Sequence, residues 1–288
     1  MLVAVIRPSA ARRTNAATAA LTAALTVALL AACDGEAPTQ TPSTSAPEAG
    51  EYLPGLAASV DLPAGDPEAV FLIVPGGGFR AADPTGLLPL AEDLADEGFA
   101  AVTITYDHAG TGTYYPRPVD EVACAIGYAA VQAPGVPVVV VGHSAGADLA
   151  MLAGLQPLRT DVSCPYEPRA ADALVGLAGP YDIHSSFIGE DLFGVPQEEA
   201  PEMWRDGDPL TWGDARPEVP VLLMHGDADE MVPVEFTQEM ADALGQGGHD
   251  VVTVFPEGAR HNDVFLSEWV LDDILDWTRE TVLAAPAT

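Results

Sequence analysis

The chain contains no lysine. Its eleven basic residues are all arginines, set against 43 aspartates and glutamates, for a formal charge of −32. Such a surface repels phosphate backbones and anionic headgroups, so neither nucleic acid nor a charged lipid surface is expected as a partner. The acidity itself reads as a solubility or salt-habitat feature rather than a trap for cationic substrates. Charged residues are also few overall, 19% against 48% apolar, which excludes global disorder and leaves ample material for a large core. Cysteine is rare, at three. Cys33 belongs to an N-terminal segment with its own logic, which leaves Cys124 and Cys164. Their spacing fits no metal motif, and no metal site is legible elsewhere. In an oxidising compartment the two would close a loop of about 40 residues, worth roughly 3–4 kcal/mol by chain entropy; two unrelated buried thiols are the alternative. There is no internal repeat, no Gly-Lys-Ser/Thr loop and no dinucleotide glycine spacing.

What is present begins with a targeting pattern. Arg7, Arg12 and Arg13 precede a 17-residue Ala/Leu/Thr run from Ala16 to Ala32. A basic region followed by a short apolar stretch is the layout of a signal peptide, and the run is short and alanine-rich for a permanent span. Leu30-Ala31-Ala32-Cys33 resembles the bacterial lipobox, which implies a diacylglyceryl group on Cys33 and cleavage on its N-terminal side. Losing the three arginines takes the charge from −32 to −35. Residues 33–51 then form a flexible Pro/Thr/Ser tether with nothing to bury. The expected organisation is a leader at 1–32, the lipidated cysteine with its linker at 33–51, and one globular domain at 52–288. The membrane would be met through the lipid alone, at the outer face of the cell membrane, or not at all if the lipobox goes unused.

From Tyr52 onward, apolar runs alternate with amphipathic segments. Ala69–Val74, Ala100–Tyr106, Pro137–Val141, Ala173–Ala178, Val219–His225 and Val251–Phe255 read as buried strands. Helices are expected at Leu87–Glu97, Pro118–Val131, Ala145–Leu155, Val234–Leu244 and Val264–Leu283. This alternation predicts an α/β fold: a doubly wound, mostly parallel sheet with helices on both faces. Residues 183–217, rich in Pro, Glu, Asp and Trp, interrupt it; they read as a small lid or as a plain surface loop.

The strongest chemical signal is Gly142-His143-Ser144-Ala145-Gly146, a G-x-S-x-G sequence between a strand and a helix. A nucleophile there sits on a sharp, strained turn, and its neighbours must be small where helix meets strand. A serine hydroxyl is a poor nucleophile unless a base takes its proton and a carboxylate orients the base. The chain supplies both in order. His225-Gly226-Asp227-Ala228-Asp229 ends a strand, with Val232-Pro233 following, and Gly258-Ala259-Arg260-His261 comes later.

In these elements the sequence resembles the α/β-hydrolase superfamily. The H-G-x-x-D-x-x-V-P pattern implies that the triad acid is Asp229, with Asp227 shaping the turn, and the G-x-x-H loop makes His261 the base. Pro75-Gly76-Gly77-Gly78-Phe79 looks like the H-G-G-G-F loop of hormone-sensitive-lipase-like carboxylesterases. By that resemblance the N–H groups of Gly77 and Gly78, with that of Ala145, bind the oxyanion. Proline stands at position 75 where the family has a histidine that ties the loop down. The resemblance spans Ala69 to the end, and the antiparallel strands that open the fold are expected to be short or missing. The implied activity is hydrolysis of small or short-acyl carboxylic esters through an acyl-enzyme, with no cofactor. Amide, formamide or peptide hydrolysis on the same triad, as in arylformamidase-like relatives, is the nearest rival. A non-catalytic, ligand-binding surface lipoprotein is the alternative from another class. Phe79, Tyr106 and Trp204 are candidate pocket walls, Trp204 and Trp212 being equally readable as packing residues. His143 and His225 read as parts of their turns, and His108, His184 and His249 as loop residues; His108 and His184 follow strand ends on the catalytic side.

Overall fold

The computed structural model describes residues 3–5, 50–158 and 163–284. Cys33, its tether and all but three residues of the expected leader lie outside them. The described strands are β1 (Val3–Val5), β2 (Glu51–Leu53), β3 (Leu56–Asp61), β4 (Val70–Val74), β5 (Ala100–Ile104), β6 (Val138–His143), β7 (Ala173–Leu177), β8 (Val221–Met224) and β9 (Val251–Val254). They form one sheet in the order β1-β9-β8-β7-β6-β4-β5-β3-β2. All neighbouring pairs from β5 across to β1 are parallel, while β3 lies antiparallel to β5 and β2 antiparallel to β3. The opening antiparallel strands are thus present but short. Processing before Cys33 would remove β1 and leave the eight strands β2–β9.

The six long apolar runs became the central strands because both faces of the sheet are covered. Along β4, Val70, Leu72 and Val74 point into one core and Phe71 and Ile73 into the other. Helices α2 (Arg117–Gln132), α3 (Ala145–Leu155) and α6 (Val234–Gly247) pack in the first core; α1 (Leu88–Asp96) and α7 (Ser267–Trp277) close the second. Every residue of α3 is buried, which is why its sequence is apolar all round rather than striped. β3 went unread in the sequence because its one-sided burial leaves only a weak alternation in Leu-Ala-Ala-Ser-Val-Asp. Cys124 of α2 and Cys164, beyond α3, are joined in a disulfide.

Residues 183–217 fold as α4 (Gly189–Phe193), α5 (Pro201–Asp206) and a 3-10 turn at Pro209–Trp212. Among the described residues no helix is long and apolar enough to cross a membrane. The chain runs from β4 to β5 on one side and then returns to β6 on the other. The carboxyl ends of β4 and β6 therefore flank the topological switch point, where open α/β sheets form their crevice.

Candidate active site

The loops after β4 and β6 meet at that crevice. Ser144 follows β6 with φ 53° and ψ −125°, outside the usual regions for a side-chain-bearing residue. The turn is this tight because three glycines let it close. A Cβ on Gly142 would come within 2.2 Å of the Gly146 carbonyl oxygen, and one on Gly146 within 2.3 Å of that of Val74. A Cβ on Gly76 would meet the Ser144 Cβ at 2.8 Å, so the loop after β4 lies directly against the serine.

His261 Nε2 lies 3.0 Å from Ser144 Oγ, and His261 Nδ1 lies 2.7 Å from Asp229 Oδ2. The carboxylate requires the proton on Nδ1, which leaves Nε2 as the acceptor for the serine hydroxyl. The Asp229 Oδ1 atom accepts from the N–H groups of Met231 (2.7 Å) and Val232 (2.9 Å), so both carboxylate oxygens are held. Burial alone pushes the Asp229 carboxyl up, but donation from His225, His261 and these two N–H groups outweighs it and holds the group well below the usual carboxylate range. Asp227 accepts from the Gly258 N–H at 2.6 Å, tying the aspartate turn to the loop that carries His261.

The Ala145 N–H opens α3, where it has no intrahelical acceptor. Gly77 and Gly78 have φ of 141° and 60°, conformations that suit glycine. A Cβ on Gly77 would fall 2.2 Å from the Ala81 carbonyl oxygen. Among the described residues, no acceptor takes the N–H of Gly77, Gly78 or Ala145. Gly77 and Gly78 border a cavity of about 490 Å³, which is also lined by Ser144, the residue before Ala145, and by His261. Its apolar walls are Leu87, Phe187, Ile188, Met231, Val232 and Phe265. Among the described residues no cluster of three or more His, Cys, Asp or Glu could hold a metal ion.

The expected pocket walls are not the observed ones. Phe79, Tyr106 and Trp204 are buried and line no part of the cavity. Trp204 packs on Phe193 with ring centroids 4.4 Å apart and donates to the Val195 carbonyl, a packing role. The insertion reaches the cavity instead through Phe187, Ile188 and Asp191. Neither His108 nor His184 lines the cavity; His184 faces Asp208 at 3.2 Å. His143 does line it, with Nε2 3.1 Å from the His261 carbonyl oxygen. Burial, helped by His261, drops its pKa to about 3, so it stays neutral. His225 does more than end its strand. It is fully buried, with Nδ1 2.7 Å from Thr237 Oγ1 and Nε2 3.1 Å from the Asp229 carboxylate. Only its place two residues before Asp227 hinted at this.

A family described as BD-FAE matches residues 62–244, more than half of the chain. A novel thermophilic esterase from the planctomycete Thermogutta terrifontis, with propionate bound, superposes with a TM-score of 0.64 at 23% identity, over 81% of this chain and 92% of that one. A bifunctional GH43-CE protein from Bacteroides eggerthii gives a TM-score of 0.66 at 20% identity, over 80% of this chain and 36% of that one. These likenesses establish the α/β-hydrolase fold. The isoprenylcysteine alpha-carbonyl methylesterase ICME of Arabidopsis thaliana is 28% identical over 149 residues, which cover 45% of this chain and 34% of that protein. The chain thus spans about a third of the length of that relative.

Proposed function

The chain belongs to the BD-FAE family, and from that premise we propose that it hydrolyses small carboxylic esters by way of an acyl-enzyme on Ser144. The observation that carries this reading is the unbroken chain Ser144–His261–Asp229 on the cavity wall, beside unclaimed N–H groups. His261 Nε2 takes the hydroxyl proton as Ser144 Oγ attacks the ester carbonyl. Asp229 stabilises the imidazolium that forms. The carbonyl oxygen becomes an anion and is received by the N–H groups of Gly77, Gly78 and Ala145, worth about 10²–10³ in rate per donor. His261 then returns the proton to the leaving alcohol. A water molecule repeats the sequence on the acyl-enzyme, releasing the acid and restoring Ser144.

A short acyl group agrees with the Thermogutta terrifontis esterase, whose structures hold propionate and butyrate. Turnover of 4-nitrophenyl acetate, butyrate and decanoate by the purified domain, with Ser144→Ala alongside, tests the proposal. Activity that vanishes in the variant supports it. Equal background rates in both proteins would sink it and turn the search to amides, formamides or a binding role.

We also propose that the enzyme is exported and tethered by a lipid on Cys33. The leader pattern supports this, and so does the Cys124–Cys164 disulfide, a bond of oxidising compartments. Mass spectrometry of the membrane fraction would find diacylglyceryl-Cys33 as the first residue. An unmodified, uncleaved chain in the cytosol would overturn the tether.

A further inference from the structure

The glycine loop after β4 has to hold its N–H groups toward one point, yet three successive glycines give it little stiffness of its own. Its downstream end is fixed in several ways. The Gly77 carbonyl accepts from Arg80 N at 3.0 Å, the Phe79 carbonyl accepts from Ala109 N at 2.8 Å, and Arg80 pairs with Asp191 of the insertion at 2.8 Å. Its upstream end begins at Pro75, which has no N–H and no side chain able to hydrogen-bond. There the Tyr106 hydroxyl, 31 residues away and two residues past the carboxyl end of β5, donates to the Pro75 carbonyl at 2.9 Å. Both partners are enclosed. Tyr106 is 2% exposed, and the Pro75 carbonyl oxygen lies only 2.5 Å from where a Cβ on Gly146 would stand.

We infer that Tyr106 is a positioning residue for the oxyanion-binding loop, acting through the Pro75 carbonyl where a proline leaves the loop without its own anchor. The Pro75–Gly76 peptide is rigid and planar, so fixing its carbonyl fixes the Gly76 N–H and the Gly76 Cα from which the chain continues to Gly77. Gly76 in turn lies so near Ser144 that a Cβ there would meet the Ser144 Cβ at 2.8 Å, so its placement sets the distance between donors and nucleophile. Burial, with the nearby Asp148 carboxyl, pushes the Tyr106 hydroxyl pKa up, so its proton is kept across the working pH range. Tyr106 lines no part of the cavity, and its effect is confined to what the loop does.

This inference rests on the ester-hydrolase reading, and one experiment separates the two. Tyr106→Phe keeps the ring in its packed site and removes only the donor. With 4-nitrophenyl butyrate, kcat is expected to fall on the order of 10–100-fold while KM stays within about 3-fold, since the loop serves the transition state more than the bound ester. The inhibition constant of 1,1,1-trifluoro-2-octanone, whose adduct with a serine carries an oxyanion, should rise by a similar factor. That constant is titrated against the folded fraction, so it does not depend on how much of the variant folds. An active wild type whose Tyr106→Phe variant binds the ketone equally well overturns the anchor and leaves the hydrolase standing. A wild type that neither turns over the ester nor captures the ketone overturns both, because there is then no oxyanion loop to position.

Discussion

His225 Nε2 stands 3.1 Å from Asp229 Oδ2, the same oxygen that accepts the hydrogen bond from His261 Nδ1–H. The Val232 carbonyl lies at 3.1 Å from that nitrogen as well, so Nε2 carries its proton between two acceptors. Nδ1 is left to accept from the Thr237 hydroxyl. A buried chain of hydrogen bonds therefore runs from Ser144 through His261, Asp229 and His225 to α6. His225→Phe keeps a ring in the site but strands the Thr237 hydroxyl and one Asp229 lone pair, each costing about 1–3 kcal/mol when buried. The Tm should fall by about 5–20 °C, and kcat for 4-nitrophenyl butyrate by about 10-fold. Thr237→Val, which removes only the outermost link, should lower the Tm by less than half as much. A His225→Phe variant with wild-type Tm and kcat would show that the chain is incidental.

A second buried carboxylate works in the opposite sense. Glu121 is fully buried beneath the loop after β5, where it accepts from the Asp107 N–H and from Arg117. Burial outweighs these donors and raises its pKa to about 7. The folded state therefore holds a proton that the unfolded chain has released once the pH passes about 4.5. Stability contributed by the protonated form is complete below about pH 4.5, declines as the pH rises, and is lost above about 7. Glu121→Gln keeps an acceptor and removes the titration. Urea unfolding should find the two proteins similar at pH 4.5 and the variant more stable at pH 8 by on the order of 2–3 kcal/mol. Parallel pH profiles would show that Glu121 stays ionised in the fold.

The disulfide joins the middle of α2 to the segment beyond α3, and neither cysteine lines the cavity. Removing it should change stability and leave the chemistry alone. A Cys124→Ser, Cys164→Ser variant is expected to lose roughly 3–4 kcal/mol, or about 8–14 °C in Tm, with kcat/KM at 25 °C within 2-fold of the parent. A variant as stable as the parent would mean that the bond constrains little in the unfolded chain.

Much of this was legible because the chemistry is local. The Ser144 elbow, the Asp229 turn and the His261 loop each carry their requirement within a few residues: small neighbours, a strand before, a turn after. The central strands were legible because burial on both faces leaves unbroken apolar runs. What could not be read depends on contacts between distant segments. Tyr106 reads as the end of an apolar strand and as a candidate pocket wall, and only the fold brings its hydroxyl to Pro75. His225 reads as the end of a strand until Asp229 folds back onto it. The pocket walls were misassigned for a related reason. Large aromatics near motifs, such as Phe79 and Trp204, were spent on the core, while the wall of the insertion came from Phe187 in a polar stretch with no periodicity to mark it.

Phe187 is 80% exposed, an unusual placement for phenylalanine, and lies on the cavity lining together with Met231, itself 50% exposed. With so little of it packed against the protein, its removal should barely affect folding, and the Tm of Phe187→Ala should stay within about 2 °C of the parent. A bound ester long enough to reach the mouth would cover this ring, and losing about 50 Å² of such contact is worth roughly 1–1.5 kcal/mol, or about 5–12-fold. Acetate esters are too short to touch it. Phe187→Ala should therefore leave kcat/KM for 4-nitrophenyl acetate within 2-fold while lowering that for the decanoate about 5–12-fold, chiefly through KM, since the contact is as good in the ground state as in the transition state. Equal losses on both esters would mean that Phe187 supports the site's geometry through Ile188 and α4. No loss on either would mean that substrates leave the mouth uncovered.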